Sequence, residues 1–131
     1  MGKKITMATV VNKGLEMIAK LVGGVSTDKM QYIALGSGTT AEANNQTALV
    51  SEITTNGGAR AMGTCSYAAD YKFKVVNTFT FTGDLSINEI GVFDAATSGN
   101  MLLRGKLSAT KNVGDGDSLQ VTVEVTFARA A

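Results

Sequence analysis

Between Phe79 and Leu107 the chain reads FTFTGDLSINEIGVFDAATSGNMLLRGKL, and this stretch admits few folds. Phe79 and Phe81 alternate with threonines up to a turn at Gly83-Asp84. Ile87, Ile90, Val92 and Phe93 then lead to a second polar turn, Thr97-Ser98-Gly99-Asn100, and Met101, Leu102 and Leu103 return to Arg104. Alternation broken by turn residues predicts three strands of an antiparallel meander. Glu89 lies inside the apolar middle strand, where strict alternation places it on the dry face with Ile87, Gly91 and Phe93. A carboxylate there needs a partner or faces a large desolvation penalty. Arg60 and Arg104 are the candidates, because a guanidinium binds a carboxylate through two parallel hydrogen bonds. The expectation is a structural ion pair that fixes strand register; the alternative is a bulge that turns Glu89 outward.

The flanking chain extends the β pattern. Ser118–Phe127 alternates strictly, with Leu119, Val121, Val123, Val125 and Phe127 on one side, and such a strand belongs in the middle of a sheet. Tyr71, Phe73, Val75, Phe79 and Phe81 give a second dry face, which Asn77 interrupts and where a bulge is expected. Met30–Gly36 reads as a short strand and Arg60–Ala69 as another. Thr47 can cap a helical turn over Ala48–Ile53 with Leu49, Val50 and Ile53 inward. Residues 8–22 predict one amphipathic helix, capped by Thr9 and ended by Gly23-Gly24, with Val11, Leu15, Ile18, Leu21 and Val22 on its apolar side. Its polar side mixes Lys13, Glu16 and Lys20, so the helix is expected to pack on its own sheet rather than on a membrane. The fold expected is mainly β: one antiparallel β-sandwich domain over 1–131, jelly-roll-like, with six to seven strands, one N-terminal helix and a flexible arm over 1–7.

Composition then narrows function. Twelve basic and eleven acidic residues give a net charge of +1 with no block of one sign, which argues against nucleic acid or anionic lipid as partner. No apolar run is long enough to span a bilayer, and Asn12, Lys13, Glu16 and Lys20 interrupt what a signal peptide would need. A single cysteine, Cys65, allows no internal disulfide and favours synthesis inside the cell. Histidine is absent, which removes the commonest general base and metal ligand. Cys65 has no partner motif and reads as a small buried thiol in a strand. Asp115-Gly116-Asp117, with Asn112 upstream, could offer oxygens to calcium but lacks a terminal Glu, so it reads as a hairpin turn. Gly36-Ser37-Gly38-Thr39-Thr40 follows a strand, as an anion-binding loop would, but lacks the lysine of a phosphate loop. No catalytic, metal or cofactor site is expected, and the chain reads as no enzyme.

Several of these segments recur together in a known setting. Ile33-Ala34-Leu35-Gly36-Ser37-Gly38-Thr39-Thr40, then Thr47-Ala48-Leu49 and Arg60, then Ile87-Asn88-Glu89-Ile90-Gly91-Val92-Phe93-Asp94 and Met101-Leu102-Leu103-Arg104 resemble small virion proteins of tailed bacteriophages. The resemblance covers most of the chain from Met30 onward and leaves the front helix unmatched. It implies a virion component, assembled in the host cytoplasm, with binding surfaces and no active site. The first reading is a capsid decoration (cement) protein on the outer head lattice, bound to the major capsid protein as a homo-oligomer, a trimer favoured. The second is a neck or tail fibre-attachment protein bound to other virion proteins. A third is a carbohydrate- or receptor-binding module in which Tyr32, Tyr67 and Tyr71 supply the stacking, although aromatics are only 6% of the chain. Candidate partner contacts are Lys3 and Lys4 on the arm, and Ser37, Thr39, Thr40, Asn44 and Asn45 on the following loop, which are polar enough to order on binding.

Overall fold

A computed structural model describes residues 8–129 and, as backbone, residues 2–5. The strands are β1 (Gly2–Ile5), β2 (Thr9–Val10), β3 (Tyr32–Gly36), β4 (Ala61–Met62), β5 (Thr64–Tyr67), β6 (Lys72–Thr80), β7 (Leu85–Phe93), β8 (Met101–Val113) and β9 (Ser118–Thr126), with one helix, α1 (Asn12–Val22). They form a four-stranded sheet, β1-β9-β6-β5, and a five-stranded sheet, β2-β8-β7-β3-β4. All pairs are antiparallel except β1 with β9. The protein is thus mainly β, two sheets face to face, as alternation requires. The main core lies between them: Val75, Phe79, Leu119, Val121 and Val123 from one sheet meet Ile33, Leu35, Ile87, Ile90, Val92 and Leu103 from the other.

Several expectations change in detail. The three-strand meander does not form, because β6 and β7 lie in different sheets and Gly83-Asp84 carries the chain across the sandwich. Of the three expected strands only β7 and β8 pair as a hairpin, and β8 runs past Arg104 to Val113. Arg60–Ala69 is likewise divided: β4 and β5 belong to opposite sheets, with Gly63 between them. No bulge occurs at Asn77, since β6 pairs with β9 in unbroken register from Lys72↔Thr126 to Thr80↔Ser118. Residues 2–5, read above as part of a free arm, pair with Gln120–Val123 of β9, whereas residues 1, 6 and 7 lie outside the described residues.

The helix begins at Asn12 rather than Ala8, because Thr9 and Val10 first pair with Arg104 and Leu103. Thr9 caps nothing; its hydroxyl donates to Glu42, and the N-cap residue is Val11. The inward face is Val11, Gly14 and Met17, flanked by Ile18 and Leu21, while Leu15 and Val22 are 58% and 86% exposed. Gly14 sets that rotation. A Cβ there would lie 2.8 Å from the Leu102 carbonyl carbon, so only glycine lets α1 settle this closely on β8. The helical turn expected over Ala48–Ile53 is instead extended chain lying along β3: Ser37 N–H donates to Ser51 O and Ile53 N–H to Leu35 O. Val50 consequently points outward while Leu49 and Ile53 are buried.

A buried carboxylate and the loop it holds

The five-stranded sheet is buried on both faces. Its inner face meets the other sheet. Its outer face carries Ala34, Gly36, Glu89, Gly91, Phe93 and Arg104, and residues 37–53 lie over it. Leu49, Phe93, Met101, Ala34 and Val11 form a second, smaller apolar cluster there. At Gly36 and Gly91 the floor has no side chain. A Cβ on Gly91 would sit 2.8 Å from Leu49 Cδ2, so the loop rests on backbone.

Glu89 reaches this face through a break in register between Ile87 and Glu89. The break leaves Ile87, Ile90 and Val92 all pointing into the main core and turns Glu89 away from it. Bulge and ion pair, posed as alternatives from sequence, therefore occur together. The covering loop keeps the rotated carboxylate dry: Glu89 and Arg104 are both 0% exposed. Arg104 Nε donates to Glu89 Oε1 at 2.7 Å, and Val50 N–H donates to the same oxygen at 2.9 Å. Glu89 Oε2 accepts from Gly38 N–H at 2.9 Å and from Ser51 N–H at 2.8 Å. Four donors saturate the carboxylate, three of them loop backbone amides. Burial pushes the Glu89 pKa up. The Arg104 guanidinium and the amides of Ser51, Val50 and Gly38 together outweigh it and hold the group below the ordinary carboxylate range.

The Gly36-Ser37-Gly38 segment is thus an anion loop after all, and its anion is the chain's own Glu89. Gly36 stands directly opposite Glu89 in the β3–β7 ladder. A Cβ on Gly38 would fall 2.5 Å from both Glu89 Oε2 and Val50 Cβ. Both glycines are required by close approach rather than by backbone angle. Arg104 Nη1 reaches Gln46 Oε1 at 3.4 Å, and Arg104 Nη2 has no partner among the described residues.

Arg60 does not join this pair. It grips Glu52 with two parallel bonds, Nη2 to Oε1 at 2.8 Å and Nε to Oε2 at 3.0 Å. Its guanidinium lies 3.7 Å over the Phe93 ring. Nη1 donates to the carbonyls of Ala95 and Ser98 in the β7–β8 turn, at 2.9 and 2.8 Å. Asp94 closes that turn by accepting from Asn100 N–H and Nδ2. A third carboxylate, Glu42, accepts from the Lys106 backbone at 2.8 Å and from Thr9. Three carboxylates therefore hold the loop, at Glu42, Glu52 and Glu89. Sequence reasoning found only the last, because Glu42 and Glu52 sit among polar residues where nothing marks them as inward.

The loop's other side faces outward. Ser37, Thr39, Thr40, Asn44 and Asn45 are all exposed on the outer layer of the five-stranded sheet. Lys3 and Lys4 stand on β1, at the edge of the other sheet, so the structure does not gather the two sets of candidate contacts. Tyr32 packs against the smaller apolar cluster, while Tyr67 and Tyr71 come together at the β5–β6 turn. Asp115-Gly116-Asp117 is a turn that accepts and donates within itself and to Phe81. Among the described residues no three His, Cys, Asp or Glu converge as metal ligands. Burial pushes the Cys65 thiol up, with Lys29 opposing weakly, so the neutral thiol prevails near pH 7.

Compared with known proteins, the chain matches the family model described as Podophage GP4 fiber I protein gp80 over residues 10–126. That span contains the three carboxylates, both arginines and every strand except β1 and the first residue of β2. No curated protein matches the chain.

Proposed function

The chain belongs to the Podophage GP4 fiber I protein gp80 family, a family of phage virion structural proteins, and from that membership we propose that it attaches a fibre at the virion's tail or neck. The match over 10–126 carries this reading, and it reverses the order in which sequence placed the two virion roles. Fibre attachment now stands ahead of head decoration. In this reading the role is non-enzymatic, in keeping with a family of phage virion structural proteins. The partners are other virion proteins, and the contact surface is the rigidly backed outer loop with Ser37, Thr39, Thr40, Asn44 and Asn45.

Copy number in purified virions tests the placement. A tail or neck part follows the tail's rotational symmetry, about six or twelve copies, whereas a head-lattice cement protein requires hundreds. Quantitative mass spectrometry against the major capsid protein reads this directly. Hundreds of copies, or labelling spread over the head in immuno-electron microscopy, would overturn the fibre placement.

A further inference from the structure

The four-stranded sheet ends on β5, which among the described residues pairs only with β6. The ladder fixes which way its main chain points. Ala68 N–H donates to Lys72 O at 2.9 Å, in register with Ser66↔Lys74 and Thr64↔Val76, so Thr64 and Ser66 turn their N–H and C=O groups to β6. Antiparallel pairing alternates, and Cys65 and Tyr67 therefore present theirs to the open side, about 6.8 Å apart along the strand. Among the described residues no main-chain hydrogen bond engages Cys65 or Tyr67 on that side. The free edge starts after Gly63, whose N–H is taken by Gln31 O at 2.6 Å. Sheet edges are ordinarily protected by shortness, charge or proline. The other edges of this sandwich follow that rule: β2 and β4 are two residues long, and β1 contains Lys3 and Lys4. Residues 61–69 read AMGTCSYAA, nine in a row with neither charge nor proline.

We propose that β5 accepts an extended acidic segment of another protein as an added strand. The main chain selects a polypeptide, because donors and acceptors that alternate at strand spacing are matched by a second extended main chain. The charge beside the edge selects which kind. Lys29 and Lys72 line the open hollow of about 450 Å³ that Cys65, Ser66 and Tyr67 border, and no carboxylate lines it. Neither lysine is in a salt bridge among the described residues. A second copy of this chain would bring like charges together across the new pair, whereas an acidic segment meets both lysines with opposite charge. Only two residues offer main-chain bonds, so the contact is weak alone and gains from copies held together in a particle. The inference rests on the chain being a virion protein and not on whether its place is a fibre or the head.

Hydrogen–deuterium exchange at single amides, in the purified full chain and in purified virions, tests the proposal. The Cys65 and Tyr67 amides are expected to exchange at least about tenfold more slowly in the particle. Zero-length carbodiimide coupling in virions is expected to join Lys29 or Lys72 to an Asp or Glu of a different protein. Two variants separate the main chain from the ring. Tyr67→Pro removes the outward N–H but no bond to β6, at an edge position that tolerates proline, and it lowers the coupling yield at least about tenfold with the melting temperature little changed. Tyr67→Thr keeps the N–H, gives up the ring and couples as wild type does. Unchanged exchange of both amides in virions overturns the proposal, and so does Tyr67→Pro coupling at the wild-type yield. A loss in Tyr67→Thr as deep as in Tyr67→Pro would overturn strand addition and assign the contact to the ring. Coupling of these lysines to a second copy of the chain would overturn the acidic partner. Should Tyr67→Pro not fold, exchange and coupling in the wild-type particle decide.

Discussion

Replacing Glu89 by alanine removes the acceptor for four donors, of which Arg104 Nε and the Gly38 amide are in buried bonds and the Val50 and Ser51 amides in part-buried ones. Arg104, 0% exposed and with Nη2 already without a partner among the described residues, becomes an uncompensated buried charge. Losing one member of such a pair costs about 3–5 kcal/mol. The amides of Gly38, Val50 and Ser51 are orphaned as well, at about 1–3 kcal/mol each where water cannot reach them. The loop is free to lift and solvate its amides, so these penalties do not all add, and a total of about 4–6 kcal/mol is the working expectation. Against a typical stability of about 5–15 kcal/mol this is a large fraction, and it lowers the melting temperature by on the order of 10–25 °C. Urea and thermal denaturation measure the loss, and hydrogen exchange at the three amides locates it. The informative companion is Glu89→Leu with Arg104→Met, which removes charge and partner together. A simple buried pair exchanged this way is often neutral or stabilising. Here the three loop amides still lose their acceptor, so the double variant should remain at least about 2 kcal/mol less stable than wild type. A double variant as stable as wild type, or a Glu89→Ala protein that melts normally, would refute the reasoning that this carboxylate holds the loop.

Further expectations follow from the same geometry. Because the folded pKa of Glu89 lies below its unfolded value of about 4.3, its contribution is complete above pH ~5 and fades as pH falls through the lower folded value. Denaturation midpoints should therefore hold level from pH 7 to about 5 and then fall, and in Glu89→Gln the fall attributable to this group should be missing. Gly38→Ala places a methyl 2.5 Å from both Glu89 Oε2 and Val50 Cβ, and should cost about 1–3 kcal/mol in chemical denaturation. Arg60→Lys keeps the charge but gives up the paired bonds to Glu52, the stacking on Phe93 and the grip on the Ala95 and Ser98 carbonyls. A loss of about 1–3 kcal/mol is expected, with faster exchange in the β7–β8 turn as the accompanying sign.

Sequence made the strands legible where one face is wet and the other dry. β9 and β6 read directly, because period two survives whenever a single face is buried. It failed where both faces are buried. In β7 the apolar residues Ile87, Ile90 and Val92 are spaced three and then two apart, and that change of spacing is the bulge written in sequence. Strict alternation smooths over it and puts Ile87 on the same face as Glu89, Gly91 and Phe93, whereas Ile87 points into the main core. The meander failed for a different reason: a glycine-aspartate turn looks the same whether it joins neighbours or crosses the sandwich, and only the partner strands decide. Helix phase was misread because Gly14 has no hydropathy to report, although its missing side chain is what lets α1 approach the Leu102 backbone of β8. Of the ion-pair candidates Arg104 and Glu89 meet, whereas Arg60 serves Glu52, a choice that rests on the path of the loop.

That path explains why the clamp is polar. Residues 37–48 read SGTTAEANNQTA, with no large apolar side chain to anchor them on a sheet. What such a segment offers inward is backbone and the polar ends of Glu42 and Gln46, and its backbone amides need an acceptor that reaches up from the floor. Gly36 and Gly91 clear the floor, the bulge lifts Glu89 onto it, and Arg104 neutralises the charge. The segments that resemble other virion proteins are largely the segments that build this arrangement: the glycine loop, Leu49, Arg60, the Glu89 strand and Arg104. Holding a loop by its main chain leaves its outward side chains out of the fold's energetics. The exposed side chains of Thr39, Thr40, Asn44 and Asn45 can therefore vary without loosening the scaffold, whereas Ser37 Oγ also donates to Ser51 Oγ at 3.1 Å.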